Sequence, residues 1–173
     1  MTVISTLITK HFTVHASDSM ISRPGSNGTR AVLEWEQTKI VRVPHFRGAM
    51  SYWGLATRDP FGWSTLKWLQ AKAQSARHFP SAEAFAVDLA ASLHREITSM
   101  RITPPTEAGI GIHLTAHEFV DDYWIPELFQ ISNWTDPSYR TLRPVGVGVT
   151  RETYHWTPNW NSAGVWVPEP EHR

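Results

Sequence analysis

Three side chains in the first forty residues have the types needed for an activated nucleophile. Thr2 follows Met1 directly, Asp18 ends the second of two apolar runs, and Lys39 begins a third run. A threonine hydroxyl is a weak nucleophile, and the α-amine of an N-terminal threonine can act as its base. A nearby lysine ammonium lowers the pKa of such an amine by like-charge repulsion. A carboxylate beside the lysine would hold it in place.

The segments around these residues are short and rich in β-branched side chains. Residues 2–9 and 12–18 are two such runs, separated by Lys10 and His11. Their length and composition predict a strand, a tight turn and a second strand. An antiparallel pair of this kind would return Asp18 to the neighbourhood of Thr2. Residues 39–43 read as a further strand that begins at Lys39.

Four segments resemble one known family, the proteasome-like N-terminal-nucleophile (Ntn) hydrolases of the proteasome β-subunit type. They are residues 1–4, 15–19, 38–43 and 48–56. In that family the first strand begins with the catalytic threonine, the second ends at an aspartate and the third begins with a lysine. The resemblance implies that Thr2 is the nucleophile, that Asp18 is the orienting acid and that Lys39 is the catalytic lysine.

The family also uses a backbone N–H group after its fourth strand to stabilise the oxyanion. Here the corresponding segment reads Ser-Tyr-Trp-Gly, so the donor stays open between Tyr52, Trp53 and Gly54. The function implied is hydrolysis of an amide or peptide bond by a threonine nucleophile, with no cofactor and no metal. The alternative is a non-catalytic or degenerate proteasome-like subunit that acts through oligomeric assembly.

Further along the chain, two helices and two strands are predicted. Ser64 can cap a helix over residues 64–76, and Ser81 can cap another over residues 81–100. Apolar side chains at every fourth position give the second helix one buried face; they are Phe85, Leu89, Leu93 and Ile97. Residues 109–116 and 123–132 read as strands. The order of elements resembles the α+β Ntn fold, a four-layer α/β/β/α sandwich.

Two departures from the family are visible in the sequence. Residues 23–30 are rich in turn-forming residues and predict an enlarged loop between Asp18 and Lys39. The final helices and strands of the family have little counterpart after residue 143, so we expect the fold to be incomplete at its C-terminal end. The expected organisation is an Ntn-hydrolase-like domain at 1–155 and a Trp/Pro-rich tail at 156–173.

Composition excludes several classes of protein. The chain has 173 residues, 41% hydrophobic and 18% charged, which is typical of a globular domain rather than a disordered chain. Its 16 basic and 16 acidic side chains balance, so no electrostatic signature of nucleic-acid binding is present. No apolar stretch reaches the length of a membrane span. The absence of cysteine fits a cytoplasmic protein and rules out thiolate chemistry.

Tryptophan is the most unusual component, with nine residues. Six of them, up to Trp134, are expected to pack in the core. The other three are in the tail: Trp156, Trp160 and Trp166. Tryptophan is enriched at interfaces, so the tail either packs on a partner subunit, giving a homo-oligomer, or is the edge of a longer fold.

Two histidines form the nearest approach to a metal-binding motif. His113 and His117 are four residues apart, but the residues around them predict a strand. On a strand they share a face and lie about 13 Å apart, which is too far for one metal ion. We therefore expect no metal site there.

Overall fold

The computed structural model describes residues 4–9, 11–24, 30–34, 36–101, 109–120, 122–132 and 148–152. Thr2 lies outside these residues, as do Trp35, Trp134 and the predicted tail at 156–173.

The chain begins with an N-terminal hairpin, formed by β1 (Ile4–Ile8) and β2 (Thr13–Ser17). The two strands are antiparallel, with Ile4 opposite Ser17 and Ile8 opposite Thr13. The Thr9 hydroxyl accepts hydrogen bonds from the backbone of the turn, including that of Phe12 at 3.0 Å. A threonine oxygen competing for backbone N–H groups in this way is typical of tight turns. The predicted strand–turn–strand is thus confirmed.

A second hairpin follows where the sequence predicted only an enlarged loop. It is formed by β3 (Ile21–Pro24) and β4 (Arg30–Glu34), which pair antiparallel with a bulge between Ile21 and Ser22. The residues between the two strands are strong turn formers, so the sequence pattern predicted a loop there. The strands themselves are four and five residues long, too short for a clear period-two signal.

The main sheet has five antiparallel strands in the order β11-β10-β9-β6-β5. These strands are β5 (Ile40–Val43), β6 (Gly48–Gly54), β9 (Ile110–Val120), β10 (Tyr123–Ser132) and β11 (Gly148–Glu152). The strands predicted over residues 39–43, 109–116 and 123–132 are all present. A small ribbon, β7 (Thr57–Arg58) with β8 (Trp63–Ser64), leads into the first helix.

Two helices cover one face of this sheet. They are α1 (Thr65–Ser75) and α2 (Ala82–Ser99), and each begins after a serine whose hydroxyl caps it. Ser64 accepts a hydrogen bond from the N–H of Lys67, and Ser81 accepts one from the N–H of Ala84. The four predicted core positions of α2 are all buried, between 0 and 7% exposed. Both predicted helices are therefore confirmed.

The alternation of side chains along the strands gives the sheet two different faces. Met50, Tyr52 and Leu114 belong to the apolar core beneath the helices. Ser51 and Thr115 alternate with them and are also fully buried, beneath the N-terminal hairpin. The fold is thus α+β, with helices on one side of the sheet and the hairpin on the other.

The tryptophans only partly follow expectation. Trp63 and Trp68 pack against the core with ring centroids 5.7 Å apart. Trp124 does not lie in the core; it is 36% exposed, and the Arg47 guanidinium lies 3.8 Å from its ring centroid. No helix in the described part of the chain has the length and apolar character needed to cross a membrane.

Candidate functional site

Asp18 and Lys39 meet in a largely buried ion pair. Lys39 Nζ lies 2.5 Å from Asp18 Oδ1, and it donates a second hydrogen bond to the Met20 carbonyl oxygen at 2.7 Å. The lysine side chain is 2% exposed and the aspartate side chain 28%. A buried ammonium is stable only when its protons are matched by acceptors. The two residues that the sequence analysis paired are therefore in direct contact.

The position of Asp18 follows from the register of the N-terminal hairpin. Ser17, the residue before it, is paired with Ile4 in β1. Ile4 is two residues from Thr2, which lies outside the described residues. The hairpin thus returns Asp18 to the beginning of β1, and its proximity to Thr2 itself stays a prediction.

The position of Lys39 follows from the register between β5 and β6. The Tyr52 N–H donates a hydrogen bond to the Lys39 carbonyl oxygen at 3.2 Å, so this N–H group already has an acceptor. Trp53 pairs with Gly111 and Gly54 with Ile110 on the β9 side. Of the three candidate oxyanion donors, Tyr52, Trp53 and Gly54, the structure thus places Tyr52 next to the backbone of Lys39.

Gly54 is the most constrained of these three positions. Its φ is +87°, and a Cβ atom there would lie 1.8 Å from the Gly109 carbonyl oxygen. The next amide, that of Leu55, donates to the same Gly109 oxygen at 3.1 Å. Only glycine combines a positive φ with so close an approach of two backbones.

A second polar cluster lies between the hairpin and the main sheet. His15 Nδ1 is 3.1 Å from Ser51 Oγ, and His15 Nε2 is 2.8 Å from Thr115 Oγ1. The Thr6 hydroxyl lies 3.4 Å from the same Nδ1. Burial lowers the pKa of His15 to about 4, with repulsion from His113 as a second cause. The ring is therefore neutral at pH 7.

Two further histidines of β9 share this face of the sheet. Burial lowers the pKa of His113, and a hydrogen bond with Gln130 partly opposes that effect. His117 Nε2 lies 2.9 Å from the carbonyl oxygen of Thr9, in the turn of the hairpin, and its Nδ1 lies 3.3 Å from that of Arg47. His113 and His117 are thus on one strand, as predicted. No group of three potential metal ligands occurs among the described residues.

The cluster of His15, Ser51 and Thr115 was not predicted from the sequence. The available signal was the placement of polar residues at alternate positions in β2 and β9, where a buried face is usually apolar. That signal shows which side chains share a face. It does not show that residues 36 and 100 positions apart meet.

Comparisons with family models, curated proteins and solved structures give no match for this chain. Its function is therefore inferred from the site itself and from the resemblance of four short segments.

Proposed function

We propose that this chain is a proteasome-like threonine-type Ntn hydrolase that cleaves amide or peptide bonds. The observation that carries the proposal is the buried contact of Lys39 with Asp18 at the end of β2, next to the Ser17–Ile4 pair. Thr2 precedes Ile4 by two residues in the chain, and in this proposal its hydroxyl and amine lie beside the ion pair.

In this proposal the reaction begins once Met1 has been removed. The Thr2 hydroxyl attacks the substrate carbonyl, and the Thr2 amine accepts its proton. The Lys39 ammonium lowers the proton affinity of that amine, and Asp18 holds the lysine in place. The tetrahedral intermediate then collapses: the C–N bond of the substrate breaks, the leaving amine takes up the proton, and the acyl group stays on Thr2 as an ester. Water then hydrolyses this ester and regenerates the threonine.

For the oxyanion we assign the backbone N–H of Gly54. The Tyr52 amide already donates to Lys39 on the β5 side, and the Leu55 amide donates to Gly109 on the β9 side. Because N–H directions alternate along a strand, the Trp53 amide points to β9, whereas the Gly54 amide points away from it. Gly54 lies at the end of β6, and its positive φ turns the backbone there. A preorganised N–H donor at such a point stabilises developing negative charge. The full four-layer Ntn sandwich, with helices also outside the hairpin sheet, is part of this proposal.

The test is acylation of Thr2 by a β-lactone. Intact-mass measurement should show loss of Met1 and one acyl adduct, which peptide mapping places on Thr2. Thr2→Ala should take up no adduct, and Thr2→Ser should retain part of the reaction. Lys39→Met should slow acylation by roughly a hundredfold or more, the usual scale for general acid–base assistance. Labelling that persists in Thr2→Ala would overturn the proposal.

A second candidate is a non-catalytic subunit that acts by assembly through exposed apolar side chains. They are grouped around the β9–β10 turn: Phe119 (57% exposed), Tyr123 (69%), Trp124 (36%) and Ile125 (40%). The Phe119 and Trp124 rings are 5.0 Å apart and share one face of the two strands. Tyr123 and Ile125 alternate with Trp124 along β10 and lie on the other face. Exposed apolar surface of this kind marks interaction sites. Complete retention of Met1 in the purified protein would favour this candidate, and association of identical subunits is compatible with both.

A further inference from the structure

The N-terminal hairpin is a separate two-stranded sheet, distinct from the five-stranded sheet beneath it. Side chains must therefore provide much of its attachment. Leu7 and Val14 point outward, 44% and 48% exposed, so they contribute little to the interface. The inward positions next to them carry Thr6 and His15, whose side chains interact with each other. The centre of this interface is consequently polar.

His15 makes the cross-sheet contacts at this centre. The Thr115 hydroxyl donates to the Ala49 carbonyl oxygen at 3.3 Å, so its oxygen can accept from His15 Nε2–H at 2.8 Å. His15 Nδ1 is then unprotonated and accepts from the Ser51 hydroxyl at 3.1 Å. The Thr115 oxygen also accepts from the Ala49 N–H at 3.2 Å, and the Thr6 hydroxyl lies farther from Nδ1 than the Ser51 hydroxyl does, at 3.4 Å. In this assignment the imidazole is neutral and links β2 to both β6 and β9.

We propose that His15 is a positioning residue, a proton-sensitive clamp that holds the N-terminal hairpin, and with it Asp18, on the five-stranded sheet. The clamp is closed when the imidazole is neutral and opens when it is protonated. Its role in positioning Asp18 for catalysis rests on the proposed function. The clamp itself does not, because it depends only on contacts between the two sheets.

The groups around His15 offer a positive charge little support. β9 presents His113 and His117, and repulsion from His113 opposes protonation of His15. β1 has no ionisable side chain, and on β6 only Tyr52 is ionisable, facing the helices. Lys39, just before β5, is paired with Asp18, and the charged residue of β5 itself, Arg42, is exposed. On β10, the register pairs Glu127 with Ala116, which belongs to the core on the helix side.

The direction of the pH effect follows from the two states of the clamp. In the docked hairpin the pKa of His15 is about 4, against an ordinary value of about 6.5 once the hairpin is released. The released state therefore binds more protons between these values. Docking is strongest above pH 6.5 and weakens as the pH falls toward 4. The released fraction should rise roughly ten- to a hundredfold between pH 7 and pH 4.5.

Hydrogen–deuterium exchange of the intact protein tests this directly. Protection of the amides in residues 4–8 and 13–17 is measured from pH 7.5 to pH 4.5, after correction for the intrinsic exchange rate. The amides of α2 are the internal reference for global unfolding. The hairpin should lose protection relative to α2 as the pH falls. Equal changes in the two segments, or no change in either, would overturn the proposal.

Three variants separate the clamp from general destabilisation. His15→Gln keeps a polar side chain but cannot titrate, so the pH dependence of hairpin protection should fall at least by half. His113→Gln removes the neighbouring titration and should have a smaller effect. His94→Gln, on the exposed side of α2, is the matched control and should leave the pH dependence unchanged. An unchanged dependence in His15→Gln would contradict the clamp.

A further variant covers the case in which His15→Gln fails to fold. Thr115→Val preserves volume but removes the partner of Nε2, so the hairpin should exchange faster already at pH 7.5. Full protection in Thr115→Val at that pH would show that the contact does not hold the hairpin. Thr2→Ala should exchange like the wild-type protein, so the clamp can be judged even if the chain proves to have no hydrolase activity.

If the hydrolase activity is present, the clamp predicts a pH signature. The acid limb of kcat/KM should flatten in His15→Gln and stay as in the wild-type protein in His94→Gln. A purely structural loss of folded protein would lower activity at every pH by the same factor. Activity with an unchanged acid limb in His15→Gln would remove His15 from the positioning of the site and leave the proposed function standing.

Discussion

Lys39 and Asp18 are in contact at 2.5 Å but differ in exposure, with 2% of the lysine side chain and 28% of the aspartate side chain accessible to solvent. Removing either partner leaves the charge of the other unpaired. The resulting loss of stability depends on how far water can hydrate the unpaired charge. Asp18→Asn leaves a buried ammonium and should lower the free energy of unfolding by about 3 kcal/mol. Lys39→Met leaves a partly hydrated carboxylate and should cost about 1 kcal/mol.

Urea denaturation of both variants measures this asymmetry. The control is the ion pair of Lys72 with Asp88, in which both side chains are more than a fifth exposed. Loss of that surface pair should cost less than about 1 kcal/mol. A larger loss for Lys39→Met than for Asp18→Asn would contradict the burial argument.

Gly54 and Gly62 both have positive φ but differ in the space around them. A Cβ atom at Gly54 would meet the Gly109 carbonyl oxygen at 1.8 Å, whereas nothing lies within 4 Å of one at Gly62. Gly62→Ala should therefore cost only the backbone strain, about 1 kcal/mol. Gly54→Ala must also displace β9 and should cost at least about 3 kcal/mol. Thermal unfolding of the two variants measures this difference. Equal shifts in Tm would show that the β6–β9 contact at Gly54 is not tight.

Glu118 supports the beginning of α2 from the neighbouring strand. Its carboxylate accepts a hydrogen bond from the Ala82 N–H, and Ser81 caps the same turn. An anionic acceptor at a helix N-terminus satisfies an unpaired N–H group and interacts favourably with the helix dipole. Glu118→Gln and Ser81→Ala should each lower the free energy of unfolding by about 1 kcal/mol.

Chemical denaturation with circular dichroism measures both effects. Thr98→Ala, at an exposed position near the other end of α2, should change stability by less than about 0.5 kcal/mol. The two N-terminal substitutions act on one turn, so their combination should deviate from additivity. If Glu118→Gln left the free energy of unfolding unchanged, the carboxylate charge would not contribute to the stability of α2.

The exposed apolar side chains at the β9–β10 turn lead to a prediction about assembly. We expect the chain to form a homo-oligomer, with part of the contact made by Tyr123 and Ile125, which are 69% and 40% exposed. Replacing both with serine should lower the mass found by light scattering without lowering Tm. The control is Val87→Ser, a similarly exposed position on α2. A wild-type monomer over a wide concentration range would rule out this assembly.

Much of the local structure was predictable from sequence because its causes are local. The turn at Thr9, the capping serines Ser64 and Ser81, and the four-residue spacing of apolar positions in α2 are properties of neighbouring residues. The β3–β4 hairpin was missed because its strands are short and flanked by strong turn signals. The contact of Asp18 with Lys39 was predicted through the resemblance to a family, and their catalytic roles remain predictions.

By itself, the sequence determined the type and order of most elements, since periodicity and capping depend on residues within one turn or one strand. The tertiary structure alone decided which elements meet. It brought His15 between Ser51 and Thr115, and Glu118 to the first turn of α2, across 36 to 100 residues of chain. Such contacts depend on sheet order and on the stacking of the hairpin. Burial of the whole apolar face selects that arrangement, and no local pattern encodes it.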